Sequence, residues 1–556
     1  MRWEDEFRQV AVALWRRQAL DRDAWRNMGE AYAKGNQTKR LRRKASSKHM
    51  TMFWWLLLSG AAVALVVYRR RRRGFYKVYD AYPLGLPSYP LIGHGYIFTG
   101  TDEDRMNSIL NLGKVSLKHG GIGCFWLGPK LYVVITDPEV LELVAKKCLE
   151  KDDGMVKYVR HVLGNGLIFA PVNIWRPRRK VMAPTFNMKN LQNFVPIFDK
   201  QSIIMTDKLR ERAGSGDFSF WDYITTYTFD SICETVLGIE LNAQKHLHHP
   251  FITAFDVLSQ VIAQRMLSPW LYWDWVFRLT SLYKLFEDWK KIAYDFFDET
   301  LRNKRKQLAS GMIENGKDQR KTFLDMMIES PGQARYSDVE LREEILSILS
   351  AGTDTSAVGT AFTALMLSRH PKVQEKVYDE LKEVFGDSDR PVTWQDLPKL
   401  EYLEAVIKET LRLYPPAPMV VRDVHETVVL PNGTTLVPGT ALMLHIWGAH
   451  RNARCWGADA EEFRPERFLQ PLRHPAQYVP FSYSVRNCIG ANYAIMSTKT
   501  NLSNVLRRYI LLPPSSVPPE SLGRPLRVKY DIMMKHCDKF ELRIEHRHKE
   551  DIGYTA

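Results

Sequence analysis

FSYSVRNCIG, residues 481–490, is the stretch on which the reading of this 556-residue chain turns. It sets Phe481, Arg486, Cys488 and Gly490 at fixed offsets just before an apolar helical pattern that begins near Ala491. A cysteine does chemistry as a thiolate, and backbone N–H groups with the positive end of a following helix favour that form. Phe481 can shield the sulfur from water, Arg486 can hold an anion, and Gly490 lets a flat ring approach the backbone. Taken alone, a cysteine in a loop is far more often an unliganded core thiol than a metal ligand, so its neighbours must carry the argument.

Three further motifs precede it in order. KETLR (408–412) sets Glu409 and Arg412 three apart on one helix face, and FRPERF (463–468) adds Arg467. A lone ExxR is a weak signal, usually a surface pair stabilising a helix by a few tenths of a kcal/mol. WRPRR (175–179) supplies Trp175 and Arg179 at WxxxR spacing. In this order and at these distances from Cys488, the motifs resemble those of the cytochrome P450 family over about residues 75–547.

That resemblance implies a mainly α fold with small β-sheets: one catalytic domain behind an N-terminal transmembrane anchor. It implies haem b (iron protoporphyrin IX) with Cys488 as iron ligand. Phe481, Arg486 and Gly490 would surround it, Trp175, Arg179 and Arg422 would face its propionates, and Glu409, Arg412 and Arg467 would form a structural cluster. Thiolate ligation pushes electron density toward dioxygen and favours O–O cleavage. The implied reaction is a monooxygenation: one atom of O2 enters a lipophilic substrate (fatty acid, hormone, odorant or xenobiotic), with electrons from NADPH.

AGTDTS (351–356) lies inside a long helical pattern, residues 337–369, opened by a capping box of Ser337 and Glu340 and followed by Pro371. Gly352 is poor at propagating a helix and Thr355 can bond back to a carbonyl, so one turn is expected to loosen. In the family such an interruption makes an oxygen groove beside an acid–alcohol pair, here Asp354 and Thr355. The acid would relay protons and the hydroxyl would pass them on. An isolated DT would read as a buried polar kink; within this set it argues for dioxygen chemistry and against the isomerase and dehydratase branches.

GNGLIFA (164–170), WRPRRKVMAPTF (175–186) and NFVPIFDKQS (193–202) resemble the clan of insect and vertebrate enzymes containing the fatty-acid omega-hydroxylases. Several of those carry a glutamate, esterified to the haem, where this chain has Ala351; alanine cannot form that link. Two departures stand out. Ser484 replaces a usual glycine, which is expected to strain the ligand loop, and Ser497 replaces a frequent glutamate. They motivate a second reading, a catalytically impaired, membrane-tethered haem and lipid binder.

Composition is consistent with a globular enzyme: 45% apolar, 12% aromatic and 25% charged residues exclude global disorder. The net charge of +15 is concentrated in residues 39–48 and in the five arginines 69–73, which flank one apolar segment, so nucleic acid is not the expected partner. That segment, residues 51–68, has 18 residues and no charge, close to the roughly 20 needed to span a bilayer. The arginines would hold the downstream chain in the cytosol, placing the protein in the endoplasmic reticulum membrane. Six cysteines without CxxC signal neither a disulfide framework nor zinc.

The expected organisation is therefore an atypical basic extension (1–49), the transmembrane helix (50–68), a basic, Pro/Gly-rich linker (69–95) and the catalytic domain (96–556). ALDRDAWRNMGEAYA (19–33) resembles the tail of insect retrotransposon polyproteins, which would make residues 1–49 a mis-joined gene segment with Met50 or Met52 as the natural start. No flavin or nicotinamide domain is visible, so the implied partners are NADPH-cytochrome P450 reductase and cytochrome b5. Arg176, Arg178, Arg179, Lys180, Arg507 and Arg508 are the expected docking cations. A further helix is expected over about 394–414, and strands at 133–137, 427–430 and 540–546.

Overall fold

The computed structural model describes residues 12–13, 22–245, 249–309, 322–328 and 336–547. It divides into two units, Met1–Tyr76 and Lys77–Ala556. The first contains helix α1 (Arg22–Arg71), with Asp23 in its first turn and Arg69, Arg70 and Arg71 in its last, signs that suit the helix dipole. Residues 51–68 lie in α1, and Trp54, Trp55, Leu58 and Val66 are exposed on it. The side chains at 51, 61, 62, 64 and 65 fall outside the described residues, as does much of the 1–49 extension. Among the described residues, no helix is long and apolar enough to cross a membrane.

In the second unit the chain is mainly helical, as expected. Its largest sheet contains β1 (Ile122–Leu127) and β2 (Lys130–Ile135), an antiparallel hairpin closed at Gly128, where φ is +58°. β2 runs parallel to Ala441–Leu444, which pairs in turn with antiparallel β3 (Val420–Asp423); Ala441–Leu444 is β4. Its strands are almost wholly buried, as near-continuous apolar runs such as KLYVVI require. Arg422 is carried on β3 into the interior.

Five helices position the site: α2 (Val172–Met182), α3 (Val195–Leu209), α4 (Phe220–Ile232), α5 (Asp338–Arg369) and α6 (Glu401–Leu413). A sixth, α7 (Ala491–Arg508), comes directly after the cysteine loop. α5 starts at the expected capping box: Glu340 N–H donates to Ser337 Oγ and the Glu340 carboxylate accepts from Ser337 N–H. Its surface is apolar or small nearly all round, so it is buried nearly all round. Some of its buried hydroxyls bond back four residues, Thr360 to Ser356 O (2.9 Å) and Thr363 to Gly359 O (2.7 Å), while those of Ser347, Ser350 and Thr353 find no partner among the described residues.

Elsewhere the chain departs from pattern reading at boundaries. The helix expected from 394 starts only at Glu401, because Pro398 sits in a preceding 3-10 turn, Leu397–Lys399. The three expected strands appear as Lys130–Ile135, Val428–Val429 and Glu541–His546. α2 continues through Pro177, which puts Trp175 and Arg178 in the interior while Arg176 and Lys180 face outward.

Candidate active site around Cys488

The loop of residues 481–490 is held by its own backbone. Cys488 N–H donates to Phe481 O (2.8 Å), Asn487 N–H to Ser484 O (3.0 Å) and Ser482 N–H to Val479 O (2.9 Å). Ser484 has φ +70° and Ser482 +63°, so two non-glycine residues occupy the left-handed region, at a cost of about 1–2 kcal/mol each. The expected strain at Ser484 is present, and a second strained residue lies beside it. Ser497 is satisfied differently: the Tyr227 hydroxyl lies 3.1 Å from its carbonyl and from its Oγ.

Cys488 has accessible surface, yet lies deep in the protein on the wall of a cavity of about 260 Å3. Burial pushes its thiol up, against the opposing pull of the Gly490 N–H and the Arg179 charge. The Gly490 N–H and the Arg179 charge do not outweigh desolvation, and a bound metal ion would deprotonate this sulfur. A Cβ on Gly490 would lie 3.9 Å from the Cys488 sulfur, so glycine keeps that flank of it bare.

Four cations, Lys151, Arg179, Arg422 and Arg486, line the same cavity, and among the described residues no carboxylate does. Burial pulls Arg422 down to about 10 and Arg486 to about 9, the latter also because Arg422 is near. Lys151 is pulled well below the usual lysine range, again by burial first. The Nε of Arg422 and Nη1 of Arg486 are buried without a hydrogen-bond partner among the described residues. Arg486 also donates to Ala170 O (2.6 Å) and lies over the Trp175 ring at 4.5 Å. Arg179 bonds the carbonyl and side chain of Asn487. Four cations, two of them with open donors, against the single carboxylate of Glu150 near Arg486, favour an anionic ligand, and the two carboxylates of haem, with a metal for the thiol, fit that requirement.

Opposite this wall, Ala351, Gly352, Thr355, Ser356 and Gly359 of α5 line the cavity. Thr355 Oγ donates to Ala351 O (2.7 Å), as expected, but α5 is helical throughout 351–356 and the loosened turn is not seen. Gly352 instead permits close packing of α4: a Cβ there would stand 2.7 Å from Ile232 Cδ1. Asp354 does not line the cavity. Successive helical residues are 100° apart, and Asp354 turns to Lys535 (2.9 Å), which also holds Asp256 (2.9 Å). Burial raises Asp354 to about 6, with Lys535 opposing. The acid–alcohol pair is thus adjacent in sequence but split between two faces of α5.

Glu409 and Arg412 are fully buried and joined by two bonds, Nε to Oε2 (2.7 Å) and Nη2 to Oε1 (2.8 Å). Arg467 Nε stands 3.4 Å from Glu409 Oε1, and Arg464 N–H donates to the same oxygen (2.8 Å). The cluster fastens α6 to the turn Pro465–Leu469.

The expected docking cations differ in exposure and pairing. Arg178 is buried against Glu340 and Glu344, Arg507 donates to the carbonyls of Ser388 and Arg390, and Arg508 pairs with Asp207. Arg176 and Lys180 remain exposed. Pattern reading also missed Lys151, Asn487 and Lys535. Lys151 sits in LEKDDG, where nothing separates it from a surface charge.

The family model "Cytochrome P450" matches residues 83–536. Cytochrome P450 4d2 of Drosophila melanogaster is 33% identical over 456 residues, 79% of this chain and 90% of its own length. Human cytochrome P450 4V2 is 33% identical over 441 residues, 76% and 82% of the two chains. Cytochrome P450 4c21 of Blattella germanica is 32% identical over 441 residues, 76% and 86%.

Proposed function

From the premise that the chain belongs to the cytochrome P450 family and is a cytochrome P450 monooxygenase, we propose that Cys488 is the thiolate ligand of its haem iron and that its substrate is a lipophile: a fatty acid, hormone, odorant or xenobiotic. The observation that carries this reading is one cavity joining the Cys488 sulfur, four cationic side chains and the Thr355 face of α5. Bound haem supplies the activation of dioxygen, with one oxygen atom going to substrate and one to water.

The chain's own residues do the rest. Lys151, Arg179, Arg422 and Arg486 hold the carboxylates, and Phe481 screens the sulfur from water. Leu167, Ile232, Ile348 and Ile446, all on the cavity wall, exclude water and receive an apolar molecule. Thr355 passes protons from its hydroxyl at the cavity surface, whereas Asp354, held by Lys535 on the other face of α5, reaches that hydroxyl only through intervening groups.

Electrons come from NADPH through a cytochrome P450 reductase, with cytochrome b5 as a second donor; Arg176 and Lys180 are the exposed cations of α2 that would meet an acidic partner. Residues 50–68 form a single membrane anchor behind extension 1–49. The arginine-rich linker 69–95 keeps the domain 96–556 on the cytosolic side of the endoplasmic reticulum.

The test is spectroscopic. Reduced protein with carbon monoxide should show the strongly red-shifted Soret band of thiolate ligation, and Cys488→Ser should abolish it; an unchanged band in the variant refutes the ligand assignment. The strained Ser484 favours one second reading, an impaired haem and lipid binder. Reconstitution with reductase, a broad lipophile panel and product mass spectrometry separates the two: the binder consumes no NADPH and makes no product.

A further inference from the structure

The strain in the cysteine loop needs an anchor outside it, because residues held at unfavourable φ persist only where their surroundings over-determine them. One side chain bridges the start of the loop to the buried ion pair. His450 is completely buried just after the short helix Ile446–Ala449. Its Nε2 accepts the Val479 N–H at 2.8 Å. That leaves Nδ1 to carry the proton, and it donates to Arg412 O at 3.1 Å. Arg412 answers: its Nη1 donates to the His450 carbonyl at 3.0 Å. The ring stacks on Tyr478, centroids 5.3 Å apart and planes at 24°.

Val479 is the next link. Its carbonyl accepts from Ser482, the first strained residue, and Phe481 O accepts from Cys488 itself. We propose that His450 is a positioning residue for Cys488, a neutral imidazole that clamps the end of α6 to the start of the cysteine loop and so transmits the rigidity of the Glu409–Arg412 pair to the sulfur. Burial, then the Arg412 charge, pulls the ring down to about 3, so both roles of the imidazole persist at any ordinary working pH. The inference rests on the reading of Cys488 as iron ligand.

Two substitutions in the full-length haem protein test it. His450→Phe keeps a ring against Tyr478 but can neither accept from Val479 nor donate to Arg412; His450→Gln keeps a donor and an acceptor. Per bound haem, the ratio of the red-shifted to the unshifted carbon monoxide band should fall several-fold in the Phe protein and return to near wild type in the Gln protein. A folded Phe protein with the wild-type ratio overturns the proposal. If the Phe protein does not accumulate, Gln decides alone: the wild-type ratio supports the clamp and a several-fold loss overturns it. Absence of the red-shifted band from wild type overturns the ligand reading, and the clamp with it.

Discussion

Asp354 Oδ1 lies 2.9 Å from Lys535 Nζ, on the face of α5 turned away from the Thr355 hydroxyl. Lys535 is buried over the Trp221 ring and serves Asp256 as well. Removing one member of a buried ion pair strands the others, at about 3–5 kcal/mol. Lys535→Met should therefore lower the unfolding free energy by about that amount, measured by denaturant titration. A loss under about 1 kcal/mol would show that the carboxylates neutralise themselves at no cost.

Thr355→Ala should leave haem content and the carbon monoxide spectrum intact, because Thr355 and Cys488 stand on different elements. Product per NADPH should drop several-fold while hydrogen peroxide rises, since protons would no longer be passed at the cavity surface. Unchanged coupling would make the hydroxyl a structural feature of the α5 back-bond.

Ser484→Gly should stabilise the fold. Relief of φ +70° returns about 1–2 kcal/mol, and the added freedom of glycine in the unfolded chain takes back about 0.5–1. A rise in the thermal midpoint, with slower loss of the red-shifted band on warming, is the expected outcome. A lower midpoint would mean the serine side chain contributes more than its backbone costs.

Acid should destabilise the protein through its buried imidazoles. Burial holds His445 near 4 and His450 near 3, against about 6.5 when unfolded. Between those values the unfolded chain binds more protons, so stability is full above about 6.5 and falls as pH drops below it. At pH 5 each costs ~2 kcal/mol. Asp354, raised to about 6, works the other way over the same range and returns ~1.4 kcal/mol. Together these three groups lower the unfolding free energy by roughly 2–3 kcal/mol from pH 7 to 5, and His536, also held near 4 by burial, adds to the fall; a flat profile would contradict the neutral-imidazole assignment.

Asn432 tests topology. In the Asn-Gly-Thr sequon its side chain is exposed, donates to the Tyr82 hydroxyl (2.6 Å) and accepts from Thr434 N–H (3.1 Å). A cytosolic domain never meets the glycosylation machinery, so mass spectrometry of the protein from cells should find no glycan there. A glycan at Asn432 would put the domain in the lumen.

Motifs with rigid local requirements were legible from the chain. The capping box at Ser337 and Glu340, the back-bond of Thr355 and the strain at Ser484 depend on residues within four positions of one another, and each lies where spacing placed it. Direction around a helix was less legible at AGTDTS, because the family pattern pairs Asp354 with Thr355 while helical geometry separates them by 100°.

By itself the sequence determined the family, the cysteine loop and the order of elements, since these rest on residue type and local spacing. Tertiary structure alone decided which charges face inward. Lys151 became a cavity cation and Arg178 a buried ion-pair partner, although both read as surface residues in their own segments. It also decided that Gly352 answers to Ile232, and that His450 joins Arg412 to Val479. Those partners lie tens to hundreds of residues apart, and only packing brings them into range of the short-distance forces that define their roles.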